Sequence, residues 1–172
     1  MVFNLGMVEL VSYWKITCAP HVTVKNIYLS QKQIDWWKKL YFYGLGEFFY
    51  KNNIKTNIDE FMNITAGTNK LLKSEINISD EFTGALVPIG GGKDSIVTLN
   101  VIKDDFANNM CYVINPRGAT EETAETAGYG ENKRCYVKRT LDKNMLELNK
   151  QGYLNGHTPF SSIVAFSALI VA

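Results

Sequence analysis

Residues 85–102 read ALVPIGGGKDSIVTLNVI, an apolar segment running into three glycines, then Lys93, Asp94 and Ser95, then a second apolar periodicity. Ala85, Leu86, Val87 and Ile89 are continuously apolar, the pattern of a parallel strand covered on both faces, and Ile96, Leu99 and Ile102 recur at helical spacing. Gly90, Gly91 and Gly92 carry no side chain to keep an anion away, so backbone N–H groups and the N-terminus of the following helix can approach a phosphate. The stretch reads as strand, anion cradle, helix.

Downstream the pattern repeats. Strands over 85–89, 110–114 and 135–139 alternate with helices over 94–103, 120–127 and 143–150, which predicts βα units, a parallel sheet and right-handed crossovers. In such a sheet ligands gather at the carboxyl ends of the strands, here the glycine turn, Asn115-Pro116-Arg117-Gly118 and Arg139-Thr140-Leu141-Asp142. A strand order of 3-2-1 would leave the first strand at an edge. Its wholly apolar character therefore points to further strands beyond residue 172.

What the glycine turn lacks narrows its type. A Walker P-loop needs Gly where Val87 stands and Ser or Thr where Asp94 stands, and a dinucleotide fingerprint counted from Gly90 needs Gly or Ala in place of Ser95. The remaining pattern resembles the pyrophosphate loop of the PP-loop ATP pyrophosphatases, Ser-Gly-Gly-x-Asp-Ser, with Gly90 standing where that superfamily has its leading serine. The hydroxyl contact of that serine is not carried over. The resemblance implies cleavage of ATP between its α and β phosphates; the bland alternative is a glycine turn that serves close packing.

The N-terminal half has a different texture. Val8–Lys15 and Val22–Leu29 read as strands flanking an Ala19-Pro20 turn that holds His21, and a long helix opens near Ser30 with a stripe of Ile34, Trp37, Tyr41, Leu45 and Phe48. Trp36-Trp37 and Tyr41-Phe42-Tyr43 suggest core packing over base stacking, because little basic charge accompanies them. Gly44 and Gly46 inside the helix each cost about 1 kcal/mol relative to Ala, which signals a close helix approach or a break. The Asn-rich residues 52–82 are expected to hold short helices and the boundary between an N-terminal region, 1–80, and a nucleotide-binding domain, 81–172. The fold class is thus α/β, a parallel-sheet, Rossmann-like PP-loop fold incomplete at its C-terminus, preceded by a small aromatic-rich α+β region.

Composition sets outer limits. With 172 residues, 46% hydrophobic and a net charge of +1, the chain has material for a core and no basic surplus that would argue for nucleic acid or an acidic membrane. Cys18, Cys111 and Cys135 are odd in number and widely spaced, which indicates neither a disulfide framework nor a zinc site; a reducing cytoplasm is the default, and MVFNLGMVEL, with neither a basic n-region nor a long apolar h-region, is not expected to act as a signal peptide. The terminal FSSIVAFSALIVA is apolar to its last residue, yet at thirteen residues it falls short of the roughly 20 that a membrane span needs. A buried helix cut off within a longer protein is expected.

Several side chains carry candidate chemistry. Lys93, a cation at a helix start where the dipole disfavours it, gains if it meets an anion; otherwise it is a solvated lysine. Asp94 suits Mg²⁺, a hard cation that takes carboxylate and phosphate oxygens, and also suits capping the helix. Ser95 can donate to a phosphate or cap the same helix. Arg117 follows a turn fixed by Pro116 and can grip a phosphate or carboxylate, whereas Glu121 and Glu122 are explained by the helix dipole. Asp142 is a natural N-cap.

The second sharp feature is Gly156-His157-Thr158-Pro159-Phe160-Ser161. Thr158 reads as an N-cap, Pro159 as the first helical residue, and Gly156 as a point of close approach. His157 then sits at the mouth of a helix as a candidate proton acceptor, or as a histidine making a structural hydrogen bond.

The glycine turn, Asn115-Pro116-Arg117-Gly118, the Ser12-Tyr13-Trp14-Lys15 segment and above all Gln151–Ser161 together resemble the bacterial UDP-N-acetyl-α-D-muramoyl-L-alanyl-L-glutamate epimerase family. Members of that family are considerably longer. The resemblance implies ATP-dependent inversion of the terminal L-Glu of UDP-MurNAc-L-Ala-L-Glu to D-Glu in peptidoglycan synthesis, with AMP and pyrophosphate formed. It implies ATP and Mg²⁺, assigned here to Gly90, Gly91, Gly92, Asp94, Ser95, Asn115 and Arg117 with the metal at Asp94; Lys93, beside the cradle, and His157, by position alone, are the catalytic candidates, and the resemblance does not say which residue moves the proton. Two alternatives stay open: another adenylating PP-loop enzyme, amidating or tRNA-thiolating, or a nucleotide-binding module without turnover.

Overall fold

The structure is a computed structural model and describes residues 1–25, 27–68 and 83–172. Its elements are α1 (Val2–Trp14), β1 (His21–Val24), α2 (Gln31–Gly44), α3 (Gly46–Lys51), β2 (Asn63–Ala66), β3 (Leu86–Pro88), α4 (Lys93–Val101), β4 (Met110–Ile114), α5 (Gly118–Thr126), β5 (Arg134–Val137), α6 (Lys143–Lys150) and α7 (Phe160–Val171). They form an α/β protein with two short parallel sheets. The contacts divide the chain into one unit of Met1–Ile76 with Leu141–Phe166, and another of Asn77–Thr140 with Ser167–Ala172. Residues 141–166 thus group with the N-terminal half, while the expected boundary near residue 80 lies outside the described residues.

In the first unit the expected strand over Val8–Lys15 is helix. Met7, Val8, Val11 and Trp14 are buried, a helical spacing, so α1 lays one apolar stripe into the core even though Val8, Leu10, Ser12 and Trp14 also alternate. His21 opens β1, which stops at Val24 instead of running to Leu29, and β1 pairs in parallel with β2 in the register His21↔Asn63 to Val24↔Ala66. Over 52–68 the expected short helices give way to β2. The helix near Ser30 forms as expected, with a reciprocal cap: the Gln33 N–H donates to Ser30 Oγ at 3.4 Å and the Ser30 N–H to Gln33 Oε1 at 2.9 Å. Trp37, Tyr41, Leu45 and Phe48 are buried, and the buried Tyr41 hydroxyl donates to the Met7 carbonyl at 2.5 Å.

The helix breaks between Gly44 and Gly46, giving α2 and α3, and Gly44 also serves close approach. A Cβ on Gly44 would lie 2.6 Å from Pro159 Cβ.

The second unit is the sheet β3-β4-β5, all parallel, with Leu86↔Met110 to Pro88↔Tyr112 and Cys111↔Arg134 to Ile114↔Val137 in register. Val87, Cys111 and Val113 share one face with Ile89, Leu99, Ala124 and Tyr129, and burial pushes the Cys111 thiol up to about 11. On the other face, the buried Tyr112 hydroxyl and Ser167 Oγ lie 2.7 Å apart. Of the expected α4 stripe, Leu99 is buried and Ile102 half-buried, but Ile96 faces solvent. Among the described residues β3 is an edge strand. The Ala85 carbonyl and the Ile89 N–H bond to β4, so alternation turns Pro88, which has no N–H, to the unpaired side. No helix among the described residues is long and apolar enough to cross a membrane.

Candidate functional site

The turn after β3 is built by its three glycines in different ways. Gly91 has φ +79°, and a Cβ there would lie 2.9 Å from the Ala119 carbonyl carbon, so both its conformation and its closeness to α5 demand glycine. Gly90 and Gly92 have no positive φ, and a Cβ on either would meet nothing within 4 Å. Bare backbone there faces open space. The Gly90 N–H donates to Ser95 Oγ at 3.0 Å, which ties the turn to the first turn of α4, and Ser95 is buried. The hydroxyl expected to meet a phosphate or cap the helix thus holds the loop, with its own proton left for a further acceptor.

Lys93 and Asp94 follow Gly92, which is the N-cap of α4, and both are exposed. Asp94 therefore sits inside the first turn and is not the cap. The arrangement has the chemistry of an anion site: a helix N-terminus, side-chain-free backbone, a cation, and one carboxylate for a hard metal whose other ligands come from phosphate and water. Among the described residues no group of three or more His, Cys, Asp and Glu converges as a protein-only metal site.

The turn after β4 adjoins the glycine turn through the Gly91–Ala119 approach. Asn115 adopts φ +50°; its Oδ1 accepts the Arg139 N–H at 2.8 Å and its Nδ2 donates to the Arg139 carbonyl at 2.9 Å. The side chain expected to meet nucleotide ties the ends of β4 and β5 together. Arg117 is the N-cap of α5, its N–H donating to Thr120 Oγ1 at 2.9 Å, and its side chain is exposed. Two helix N-termini, with Lys93 and Arg117 beside them, thus come from adjoining loops at the carboxyl edge of one sheet.

His157 belongs to the other unit. The Lys15 ammonium donates to the Gly156 carbonyl, and Asn52 Nδ2 donates to the Asn155 carbonyl at 3.0 Å. A Cβ on Gly156 would lie 3.1 Å from both Glu47 Oε2 and Phe48 Cα, which confirms it as a point of close approach. The Pro159 carbonyl accepts from Ser162 and Ile163, so Pro159 is the residue before α7 and not its first helical residue. The Ser12–Lys15 segment and the Gln151–Ser161 block, far apart in sequence, meet here.

Sequence reasoning missed Glu47. Its Oε2 accepts the His157 N–H at 2.7 Å and lies 3.5 Å from His157 Nδ1. The His157 amide, its imidazole, Lys51 and Lys15 together hold the Glu47 carboxyl below its usual range, the amide contributing most and partial desolvation opposing. The one local signal was an acidic residue immediately after the Gly44–Gly46 break.

A family model described as the MurL N-terminal domain matches residues 1–172. The chain is 27% identical over 165 residues to a UDP-N-acetyl-alpha-D-muramoyl-L-alanyl-L-glutamate epimerase of Salinispora tropica, covering 96% of this chain and 35% of that one. It is 26% identical over 170 residues to a protein of the same name from Xanthomonas oryzae pv. oryzae, covering 96% and 36%. It is 29% identical over 168 residues to another from a Micromonospora species, covering 98% and 36%. The chain spans about a third of the length of the curated relatives it matches. No solved structure matches it. By the match along its whole length, the chain belongs to the family of the MurL N-terminal domain.

Proposed function

We propose that this chain is the N-terminal part of a cytoplasmic epimerase that inverts the terminal L-Glu of UDP-MurNAc-L-Ala-L-Glu during peptidoglycan synthesis, with ATP converted to AMP and pyrophosphate. The observation that carries this reading is the Gly90–Gly92 turn, whose two outer glycines leave bare backbone at a helix N-terminus. The names of the relatives supply the substrate, and the weak basic character of the chain argues against nucleic acid as a partner.

On this reading the β3–β5 unit is part of a PP-loop nucleotide-binding fold that continues past residue 172. The N–H groups of the glycine turn and the N-terminus of α4 hold the phosphates, Lys93 offsets charge on the departing pyrophosphate, and Arg117 grips a second phosphate or the substrate carboxylate. Asp94 is one oxygen ligand for Mg²⁺, with ATP oxygens and water completing its shell. Ser95 and Asn115 act by holding their loops in shape. A glutamate α-proton is hard to remove because the adjacent carboxylate already bears charge; attack of that carboxylate on the α-phosphorus of ATP, with pyrophosphate leaving, gives a mixed anhydride with AMP. The anhydride removes the charge and makes the carbonyl an electron sink, and water later hydrolyses it to release AMP. His157 is the residue assigned to exchange the proton.

The test gives the complete gene product ATP, Mg²⁺ and the L-Glu substrate in deuterated water. Release of AMP and pyrophosphate with deuterium appearing at the glutamate Cα is expected, and AMP release without label there sinks the epimerase assignment. Asp94→Ala should abolish pyrophosphate release while the melting temperature moves little, since the carboxylate contributes only about 0.3–1 kcal/mol through the helix dipole. Retained release would remove Asp94 from the site.

A further inference from the structure

The residues around His157 fix its backbone from several sides. Lys15, the last residue of the Ser12–Lys15 segment, is buried and holds the Gly156 carbonyl; Asn52 holds the Asn155 carbonyl; and Pro159 lies against Gly44. Glu47 adds a further tether to the main chain and, with it, a charge beside the imidazole. The oxygen that accepts the His157 N–H at 2.7 Å also lies 3.5 Å from Nδ1 of the same residue, so main chain and imidazole are both referred to one carboxylate. The imidazole is otherwise 86% exposed, which leaves its remaining nitrogen accessible.

We propose that Glu47 is a positioning residue that engages His157 through Nδ1 and thereby makes Nε2 the nitrogen that exchanges a proton with substrate. The inference rests on the epimerase reading above. The carboxylate fixes the His157 main chain through its N–H and sets a negative charge 3.5 Å from Nδ1, which favours a proton on that nitrogen and leaves the Nε2 lone pair for substrate. In the step assigned here the Cα–H bond of the activated glutamyl group breaks, its electron pair moves onto the activated carbonyl, and an N–H bond forms at Nε2. The imidazolium then exchanges that proton with solvent, Cα takes back a solvent-derived proton as the electron pair returns from the carbonyl oxygen, and water hydrolyses the activated acyl group to free AMP. Lys15 and Lys51 are the other charged groups facing Glu47, and both favour its ionised form. The carboxylate is therefore charged at the pH where the exchange would be run.

The experiment compares wild type, Glu47→Gln, Glu47→Asp and His157→Gln in the complete gene product, following deuterium gained at the glutamate Cα per AMP released across pH. Glu47→Gln keeps an oxygen for the His157 N–H while removing the charge beside Nδ1. Its label gained per AMP should fall about 10–100-fold while AMP release itself changes little. Glu47→Asp should recover part of the loss, and His157→Gln should lose the label entirely. A Glu47→Gln enzyme with the wild-type ratio would overturn the positioning role while leaving the epimerase reading intact. So would label retained in His157→Gln. If Glu47→Gln melts before it can be assayed, Glu47→Asp decides: a ratio reduced from wild type with a normal melt supports the positioning role, and a wild-type ratio overturns it. Wild type that releases no AMP, or gains no label, overturns the reading itself and the inference with it.

Discussion

The three glycines of the turn after β3 should separate cleanly when each is replaced by alanine. Gly91→Ala forces φ +79° on a residue with a Cβ, at about 1–2 kcal/mol, and sets that Cβ 2.9 Å from the Ala119 carbonyl carbon and 3.0 Å from its Cβ. Backbone cannot yield as a flexible side chain can, so overpacking adds about 1–3 kcal/mol. The sum, about 2–5 kcal/mol, corresponds to a fall in melting temperature of roughly 5–15 °C for a chain of this size. Gly90→Ala and Gly92→Ala meet nothing within 4 Å and need no unusual φ. Their stability should be unchanged or raised by about 0.4–1 kcal/mol through the unfolded chain.

If the open side of the turn holds phosphate, the same two substitutions occupy its space. Losing one charge-assisted N–H contact, at about 1.5–3 kcal/mol, should weaken ATP about 10–100-fold. Scanning calorimetry and ATP-dependent pyrophosphate release on the three variants read both effects. A Gly92→Ala variant that melts as early as Gly91→Ala, or that releases pyrophosphate with wild-type ATP dependence, would refute the division between a structural and a ligand-facing glycine.

Asn115→Ala removes two hydrogen bonds to Arg139 and places alanine at φ +50°, which should cost about 2–4 kcal/mol, seen as a lower urea midpoint at unchanged slope. Asn115→Gly relieves the dihedral but not the hydrogen bonds, so it should recover about half. Glu47 is held below its ordinary value of 4.5, so its contribution is present above that pH and is lost as the pH falls through its folded value. Thermal melts from about pH 6 to pH 3 should show wild type losing stability that Glu47→Gln, already lacking the charge, does not lose.

Local chemistry decided which parts of this fold were legible. The start of α2 was visible because Ser30 and Gln33 satisfy each other's backbone, and α6 because Asp142 accepts from the Asn144 and Met145 N–H groups; both are short-range interactions written in adjacent residues. The strand β4 was visible because an apolar run between turns has little else to become. The helix α1 was misread because its apolar residues satisfy both an alternating and a helical spacing, and burial against Tyr41 and the rest of the core selects the second. β2 was hidden in an Asn-rich stretch: Ile64 and Thr65 favour a strand, but two such residues between Asn63 and Ala66 are too few to stand out without the parallel edge that β1 offers. Among the candidate site residues, the glycine turn was legible as an open backbone. That Asn115 binds Arg139, and Ser95 binds Gly90, was not, since each role depends on a partner reached through the loop's shape. Glu47 was out of reach because its partner lies 110 residues away.

The hydrogen bond from Lys15 to Gly156 joins residues 141 apart, and it closes a unit whose two pieces are separated by another unit's sheet. On the ribosome that order has a temporal meaning. After β2 emerges, roughly 90 more residues must be made before Gly156 can dock, a delay of roughly 5–20 s at ordinary elongation rates. Throughout it the α2–α3 junction waits without Gly156 and Pro159 against Phe48 and Gly44, while the strands β3–β5, which pair with one another within one continuous stretch, can pair first, the Tyr112–Ser167 contact following later. The chain's N-terminal half is thus synthesised early and completed late, so a holdase that recognises exposed aromatic surface would engage it during that interval rather than after release.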